Sequence, residues 1–543
     1  MMGIRRPAGR SFGKIESRSL HVLGIILMFT SVLMIPALAV AVWQEESILP
    51  FIIPVVPCFI ISAALMYFFR NPKVMRPADG VVMIITLWAG LFIVGTVPYL
   101  IYGLSPVNAL FESVSGFTTA GATIIQDVAS LPQSLLLWRA STQWVGGMII
   151  VIMYMFIIPM VVSGGRSLLQ NEMSGSGSGN LYLKMGSAAK QYVAVYVILT
   201  LIFFVILMML GLSWLEASTI SMCVICTGGF MVTNDSFASY GIAVKIAVLL
   251  FMIISATNFY LQYKVIMKRE FSAIKKNEEL RFMLAFIIGV SALVLAAMFL
   301  NGSGTDDVVN SIVNVVFSVV AMVTTTGFTT VDYTTGWPFI GMSLLLVVMF
   351  IGGSTGSTAG GIKISRAIIV FKSMLNEVRQ TVHPNAVYSV KLDGKGIDES
   401  LVRSSTVVVL MFMITVFVGT MVLDMEMGTD EALFASCALV SGTGPGMGVL
   451  FGNYSAMSGG MKLFACMLMI LGRVEIVTIL VVFTKGFWKE LLGIKGMNDM
   501  KERIIGIPGS AVSAIRKKKN HEESNDTQEE APSDGAVSDS DIQ

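Results

Sequence analysis

Apolar runs of about twenty residues dominate the chain, and that is the length a helix needs to cross the hydrocarbon of a bilayer. They lie near residues 20–42, 49–69, 80–102, 137–163, 191–212, 243–265, 282–301, 338–351 with a continuation, 404–424 and 462–484, which predicts ten spans. Composition leaves little alternative. Hydrophobic residues make up 55% of the 543 positions and charged residues 13%, too few to clothe a water-exposed surface. The first run follows Arg5, Arg6 and Arg10 and holds Ala37-Leu38-Ala39, yet it is too long for a cleaved leader and a second run follows directly. Lys and Arg fall on one side. Segments 43–69, 77–138, 213–244, 282–362 and 404–461 contain none, whereas Arg70, Lys73 and Arg76, or Lys264, Lys268 and Arg269, mark the alternate connections. The positive-inside rule therefore places both termini in the cytoplasm, as an even number of spans requires. Beyond the last run, Arg516-Lys517-Lys518-Lys519 leads into a polar tail with eight acidic residues between Glu522 and Asp541, a composition that predicts disorder.

No reaction centre assembles in the sequence, so the chain is not expected to be an enzyme. Its three histidines, His21, His383 and His521, do not cluster with carboxylates. Cys58, Cys437 and Cys466 stand alone, and Cys223-x-x-Cys226 has no second pair or nearby histidine, so it reads as helix packing. There is no phosphate-binding loop or G-x-G-x-x-G, so a regulatory nucleotide would have to bind a partner.

Four of the connections without Lys or Arg share one design. They read Phe117-Thr118-Thr119-Ala120-Gly121, Cys226-Thr227-Gly228-Gly229, Thr324-Thr325-Thr326-Gly327 and Ser441-Gly442-Thr443-Gly444, with the last glycines 108, 98 and 117 residues apart. A helix start precedes each: Ser105-Pro106, the capping box Ser213-x-x-Glu216, Thr305-Asp306-Asp307 and Thr429-Asp430-Glu431. Three of these starts lie 15 or 16 residues before the glycine; the third lies 22 before, which predicts a longer or later helix. A recurring unit of this length predicts helix–pore-loop–helix repeats. Each short helix would aim its negative end at the midplane, where a cation is favoured. Irregular backbone at that depth must line a water-filled path. Four such stretches around an axis would offer carbonyl oxygens that replace a potassium ion's hydration shell, the ligands coming from Thr119, Ala120, Gly121, Thr227, Gly228, Gly229, Thr325, Thr326, Gly327, Gly442, Thr443 and Gly444. No covalently bound cofactor is expected. Glu112, Glu216, Asp306, Asp307, Asp430 and Glu431 are expected at the outer ends of these helices, as helix-end charges or as a means of concentrating cations.

The eighth run is interrupted by Gly352-Gly353-Ser354-Thr355-Gly356-Ser357-Thr358-Ala359-Gly360-Gly361, where each glycine would cost a helix about 1 kcal/mol relative to alanine. A loop inside the membrane is predicted there. Arg473, deep in the last run, needs partners. Either it binds this loop and holds it across the pore as a gate, or it anchors helix packing.

These motifs resemble the Trk/Ktr/HKT potassium-transporter superfamily, most closely its TrkH-type branch, over about residues 20–488. The likeness rests on Phe111-Glu112-Ser113-Val114-Ser115-Gly116-Phe117-Thr118-Thr119, Trp138-Arg139-x-x-x-Gln143-Trp144-x-Gly146-Gly147, Asn258-Phe259, Thr324 to Phe328, Gly356 to Lys363 and Gly472-Arg473-x-Glu475. The resemblance implies an all-α membrane protein with four helix–pore-loop–helix repeats in pseudo-fourfold arrangement after two extra N-terminal helices. It also implies a homodimer and a cytoplasmic, TrkA-like ring of nucleotide-binding subunits that gates the pore. Some relatives carry serine at the first filter glycine and admit sodium; Gly121 argues against that here. The expected parts are a cytoplasmic segment 1–19, two helices in 20–76, repeats at 77–170, 185–275, 280–385 and 398–490, and a cytoplasmic region 491–543. The function expected is a potassium-conducting subunit of an uptake system in the cell membrane, without nucleic acid. The alternative is a proton- or sodium-coupled potassium transporter, which would need carboxylates near the midplane; Glu475 is the one candidate.

Overall fold

The structure, a computed structural model, describes residues 12–69, 77–156, 181–302, 307–386, 388–474, 480–484 and 486–488. Its helical body is the unit Glu16–Val481. Two long helices come first, α1 (Phe12–Trp43) and α2 (Leu49–Phe68). A long, short, long order then recurs along the chain. It comprises α3 (Pro77–Ile101), α4 (Pro106–Phe117) and α5 (Gln133–Phe156), then α6 (Leu181–Met209), α7 (Trp214–Ile225) and α8 (Ile242–Ser255), which turns into α9 (Phe259–Ile266). After these come α10 (Glu278–Leu300), α11 (Val308–Val323) and α12 (Phe339–Phe350), followed across a break by α13 (Ile364–Val382), and finally α14 (Glu399–Leu423), α15 (Thr429–Ser441) and α16 (Gly459–Arg473). Among the described residues seven helices are long and apolar enough to cross a membrane, or eight with the bent α8–α9 pair. Arg5, Arg6, Arg10, the acidic tail, Thr305, Asp306 and Glu475 lie outside the described residues.

The short helices begin where side chains satisfy their free N–H groups. Ser105 Oγ accepts from Asn108 N with Pro106 in the first turn, and Ser213 and Glu216 form the reciprocal capping box. Asp307 caps α11, whose 16 residues exceed the 12, 12 and 13 of α4, α7 and α15, so the third helix is the longer one. The fourth start differs from expectation. Gly428 is the cap and Thr429 the first helical residue, its hydroxyl donating to Asp424 Oδ1 at 2.8 Å instead of to the helix.

Each short helix packs between the two long helices of its own group and against the last helix of the group before it: α7 against α5, α11 against α8, α15 against α12, and α4 against α16. The set therefore closes on itself. Burial follows this order. Phe317 to Val323 of α11 and Phe434 to Ser441 of α15 are all buried, while Ile288 of α10 (68% exposed) and Phe417 of α14 (63%) face outward. With no hydrophobic drive between helices in lipid, close packing and internal hydrogen bonds must hold them. The first and fourth groups do this identically. Ser113 Oγ donates to Phe92 O at 2.8 Å, and Ser436 Oγ donates to Val416 O at 2.9 Å. A Cβ on Gly146 or Gly472 would overlap the carbonyl oxygens of Phe117 and Val440, so both glycines let a long helix touch the end of a short one.

The run 243–265 differs most from the helix expected of it. It is two helices bent by 107°. Asn258 Oδ1 caps α9 by accepting from Tyr260 N at 2.7 Å, and the backbone freed at the bend is taken up by the 352–361 segment: Ser354 N donates to Ala256 O and Phe259 N to Gly356 O. A capped break with an external partner is as satisfied as a continuous helix. Between α13 and α14 a hairpin, Lys391–Leu392 with Lys395–Gly396, turns through Asp393 (φ 50°) and Gly394 (φ 77°), a pair suited to a type I′ turn.

Candidate ion-conduction site

The four short helices end in the same local geometry. Ala120 N, Gly228 N, Thr326 N and Thr443 N each donate five residues back, to Ser115 O, Cys223 O, Ala321 O and Ala438 O, at 2.8–3.0 Å. This bond closes a helix through one left-handed residue. Those residues are Thr119 (φ 54°), Thr227 (φ 53°), Thr325 (φ 52°) and Gly442 (φ 73°). A branched side chain in that region costs about 1–2 kcal/mol, so three threonines there mark strain retained for a purpose. Gly121, Gly229, Gly327 and Gly444, two positions further, are left-handed again. Backbone whose φ alternates in sign turns successive N–H groups to one side and carbonyls to the other.

The four stretches also interlock. A Cβ on Gly121 would overlap Gly228 O, one on Gly229 would overlap Thr326 O, one on Gly327 would overlap Thr443 O, and one on Gly444 would overlap Ala120 O. The sequence of neighbours runs first to second, second to third, third to fourth and fourth to first. All four glycines line a single cavity of about 310 Å³. The structure thus brings together Thr119 to Gly121, Thr227 to Gly229, Thr325 to Gly327 and Gly442 to Gly444.

Side chains brace these stretches from behind. Gln143 Nε2 donates to Gly228 O at 2.7 Å while its Oε1 accepts from Phe230 N at 3.0 Å. Tyr454 OH donates to Gly444 O at 2.9 Å, and its own N–H reaches Thr123 O. Glu112 is fully buried in the middle of α4, not at an outer helix end, and pairs with Arg139 at 3.3 Å. Only the family-like motif around Arg139 and Gln143 hinted at these braces; their partners are far apart in sequence.

Four of the other acidic groups stand at helix starts, as expected of helix-end charges. Glu216 belongs to a capping box, Asp307 is a cap, and Asp430 and Glu431 lie in the first turn of α15. The cavity above the glycines is instead lined by Asp235 and Asp332, which the sequence reading did not single out. Partial burial pushes the Asp332 carboxyl up, but hydrogen bonds from Thr334 and Thr335 outweigh it and hold its pKa below the ordinary value, so the group is ionised at neutral pH.

On the opposite side of the glycine stretches lies the 352–361 segment. It is non-helical, as expected, and a parallel bridge between Ile351 and Ile362 closes its neck. Its donors reach the ends of the short helices. Gly361 N donates to Ser441 O at 2.9 Å, Thr358 Oγ1 to Ile225 O at 3.0 Å, and Gly360 N to Thr325 Oγ1 at 2.6 Å. Thr355 N donates to Glu279 Oε2 at 2.8 Å, Ser357 Oγ turns back to Ser354 O, and Ala359 is fully buried. Gly352 N pairs with Ile362 O, Gly353 O accepts from Ile364 N, and Lys363 Nζ, also buried, donates to Ala359 O. Arg473 is the last residue of α16 and only 8% exposed.

The family model for TrkH, described as a cation transport protein, matches residues 50–490. The chain belongs to the TrkH family. Among curated relatives, the Trk system potassium uptake protein TrkH of Halomonas elongata is 30% identical over 486 residues, covering 87% of this chain and 99% of the relative. TrkG of Escherichia coli, also named a Trk system potassium uptake protein, is 30% identical over 481 residues, covering 86% and 98%. Among solved structures, the potassium transporter TrkH from Vibrio parahaemolyticus superimposes with a TM-score of 0.79 at 27% identity, covering 87% of this chain and 99% of that one. As a TrkH family member this chain is a multi-pass membrane transporter, and the interlocked glycines lie within the matched region.

Proposed function

We propose that this TrkH-family chain is the potassium-selective conducting subunit of a potassium-uptake system in the cell membrane. One observation carries the reading: four glycines from distant parts of the chain line one cavity, each backed against the carbonyl of the next stretch. Carbonyls so arranged, at the negative ends of four helices, replace the hydration shell of a dehydrated monovalent cation. The ligands are drawn from the carbonyls of the twelve residues Thr119–Gly121, Thr227–Gly229, Thr325–Gly327 and Gly442–Gly444, less Gly228 O and Gly444 O, which already accept from Gln143 and Tyr454. In this reading the groups 77–170, 185–275, 280–385 and 398–490 are four pore repeats in pseudo-fourfold order behind two extra helices, ten spans in all. Both termini then lie in the cytoplasm, and Asp235 and Asp332 face outside, where they concentrate cations.

The 352–361 segment is the gate of this pathway. Its N–H and hydroxyl donors occupy oxygens at the helix ends that would otherwise face a passing ion, and the buried Lys363 ammonium adds an opposing charge. Arg473 is assigned to holding the segment in place. A homodimer and a cytoplasmic nucleotide-binding ring complete the assembly, the ring supplying the work that displaces the segment. Liposome flux with potassium, rubidium, sodium and lithium, with and without a pH gradient, tests the reading. Potassium and rubidium are expected to pass at similar rates, well ahead of sodium and lithium and without need of the gradient. Equal rates for all four ions would overturn selectivity, and strict dependence on the gradient would replace conduction by coupled transport.

A further inference from the structure

We infer that the buried Glu112–Arg139 ion pair is a selectivity-determining clamp that fixes the spacing of the first two filter stretches. The inference rests on the conduction reading above and extends it to two positioning residues outside the filter itself.

The contacts are complete on both sides. Glu112 Oε1 accepts from Thr123 Oγ1 at 2.6 Å and from Ile124 N at 2.7 Å, just beyond Gly121. Its other oxygen accepts from Arg139 Nε at 3.3 Å. Arg139 Nη1 donates to Met231 O at 3.3 Å, two residues beyond Gly229, and Nη2 donates to Thr123 Oγ1 at 3.0 Å. The guanidinium also lies over the Phe230 ring, 4.2 Å from its centroid. Both side chains are at most 2% exposed. One ion pair therefore joins α4, α5 and the exits of filter stretches one and two.

A buried pair of this kind is a poor source of net stability, because desolvation offsets most of the Coulomb attraction, but it is costly to break and strict in geometry. The guanidinium fork cannot shift without giving up Met231 O or Thr123 Oγ1. It thereby holds Gly121 and Gly229 at their backbone contact, and carbonyl rings discriminate between ions only while their spacing and field are held. The device is confined to one quadrant. Counting back nine residues from each filter glycine, Ile220, Ser318 and Ala435 stand where Glu112 does in the first stretch. A plain packing role would not require a charge here, since the other three helices use neutral residues at that position.

The test is the potassium-to-sodium flux ratio of purified full-length protein in liposomes, for wild type, Glu112→Gln, Arg139→Lys and Thr123→Val, each first checked for monodispersity and thermal stability. Glu112→Gln leaves the guanidinium without its counter-charge, and Arg139→Lys keeps the charge but loses the fork. Both are expected to lower the ratio about tenfold, mainly through faster sodium entry. Thr123→Val removes one shared hydroxyl, so it should fold even if the charged variants do not and should lower the ratio about threefold. Wild-type ratios in every variant that folds would overturn the clamp while leaving the conduction reading intact. A wild-type chain with no preference for potassium would overturn that reading itself, and the clamp with it.

Discussion

Two stretches of irregular backbone face each other along the proposed ion path, and they are held in opposite ways. The filter stretches are fixed several times over. Each leaves its helix through the same terminal hydrogen bond, each glycine is backed by a neighbouring carbonyl, and Gln143, Tyr454 and the Glu112–Arg139 pair brace them from outside. The 352–361 segment is held by scattered bonds to many partners, among them Ile225 O, Ser255 O, Thr325 Oγ1, Ser441 O, Glu279, Ala256 O and Phe259 N. Losing a single hydrogen bond such as that of Tyr454 leaves the other braces in place, whereas the Glu112–Arg139 pair joins two stretches at once. The segment's retention is a sum of separately replaceable contacts, which suits the gate proposed for it.

That contrast can be broken from either end. The largest effect is expected from Gly327→Ala, because the new Cβ would overlap Thr443 O and φ is 73° there. Potassium flux in liposomes should fall by about two orders of magnitude, the equivalent of nearly 3 kcal/mol. Flux within a factor of two of wild type would show that the filter tolerates displacement. Next, Arg473→Gln is expected to raise flux measured without any regulatory partner by about tenfold if the residue holds the segment closed. Unchanged flux in a normally folded variant would assign Arg473 to helix packing instead. Thr358→Val removes a hydroxyl shared between Ile225 O and Ser255 O, worth about 1 kcal/mol net, so basal flux should rise about fivefold, an effect readable in the same assay. The smallest effect belongs to Tyr454→Phe, which deletes one of several filter braces. A loss of about 1 kcal/mol should appear as a modest drop in melting temperature, with flux selectivity changed by less than about twofold. A loss of selectivity as large as that expected of Glu112→Gln would reverse the comparison.

Much of this architecture could be read from the chain alone, because the bilayer makes local pattern informative. Apolar length marks the helices, and caps such as Ser105-Pro106 and Ser213-x-x-Glu216 act within one turn of the residues they serve. The four glycine cores were legible for the same reason: a helix that must end in a left-handed turn inside an apolar stretch leaves small residues behind. Even the break at 352–361 followed from glycine's cost in a helix.

Long-range pairing was not legible in this way. Glu112 read as an outer charge, yet it is buried against Arg139, 27 positions away, and the acids lining the mouth are Asp235 and Asp332. The 107° bend at Ala256 is hidden in an apolar run because its free carbonyl finds its donor nearly a hundred residues later, at Ser354. A sequence records which groups need partners, since burial and caps are local demands. Which partner answers a buried charge or an opened carbonyl is settled by packing, where segments remote in the chain come within hydrogen-bond reach.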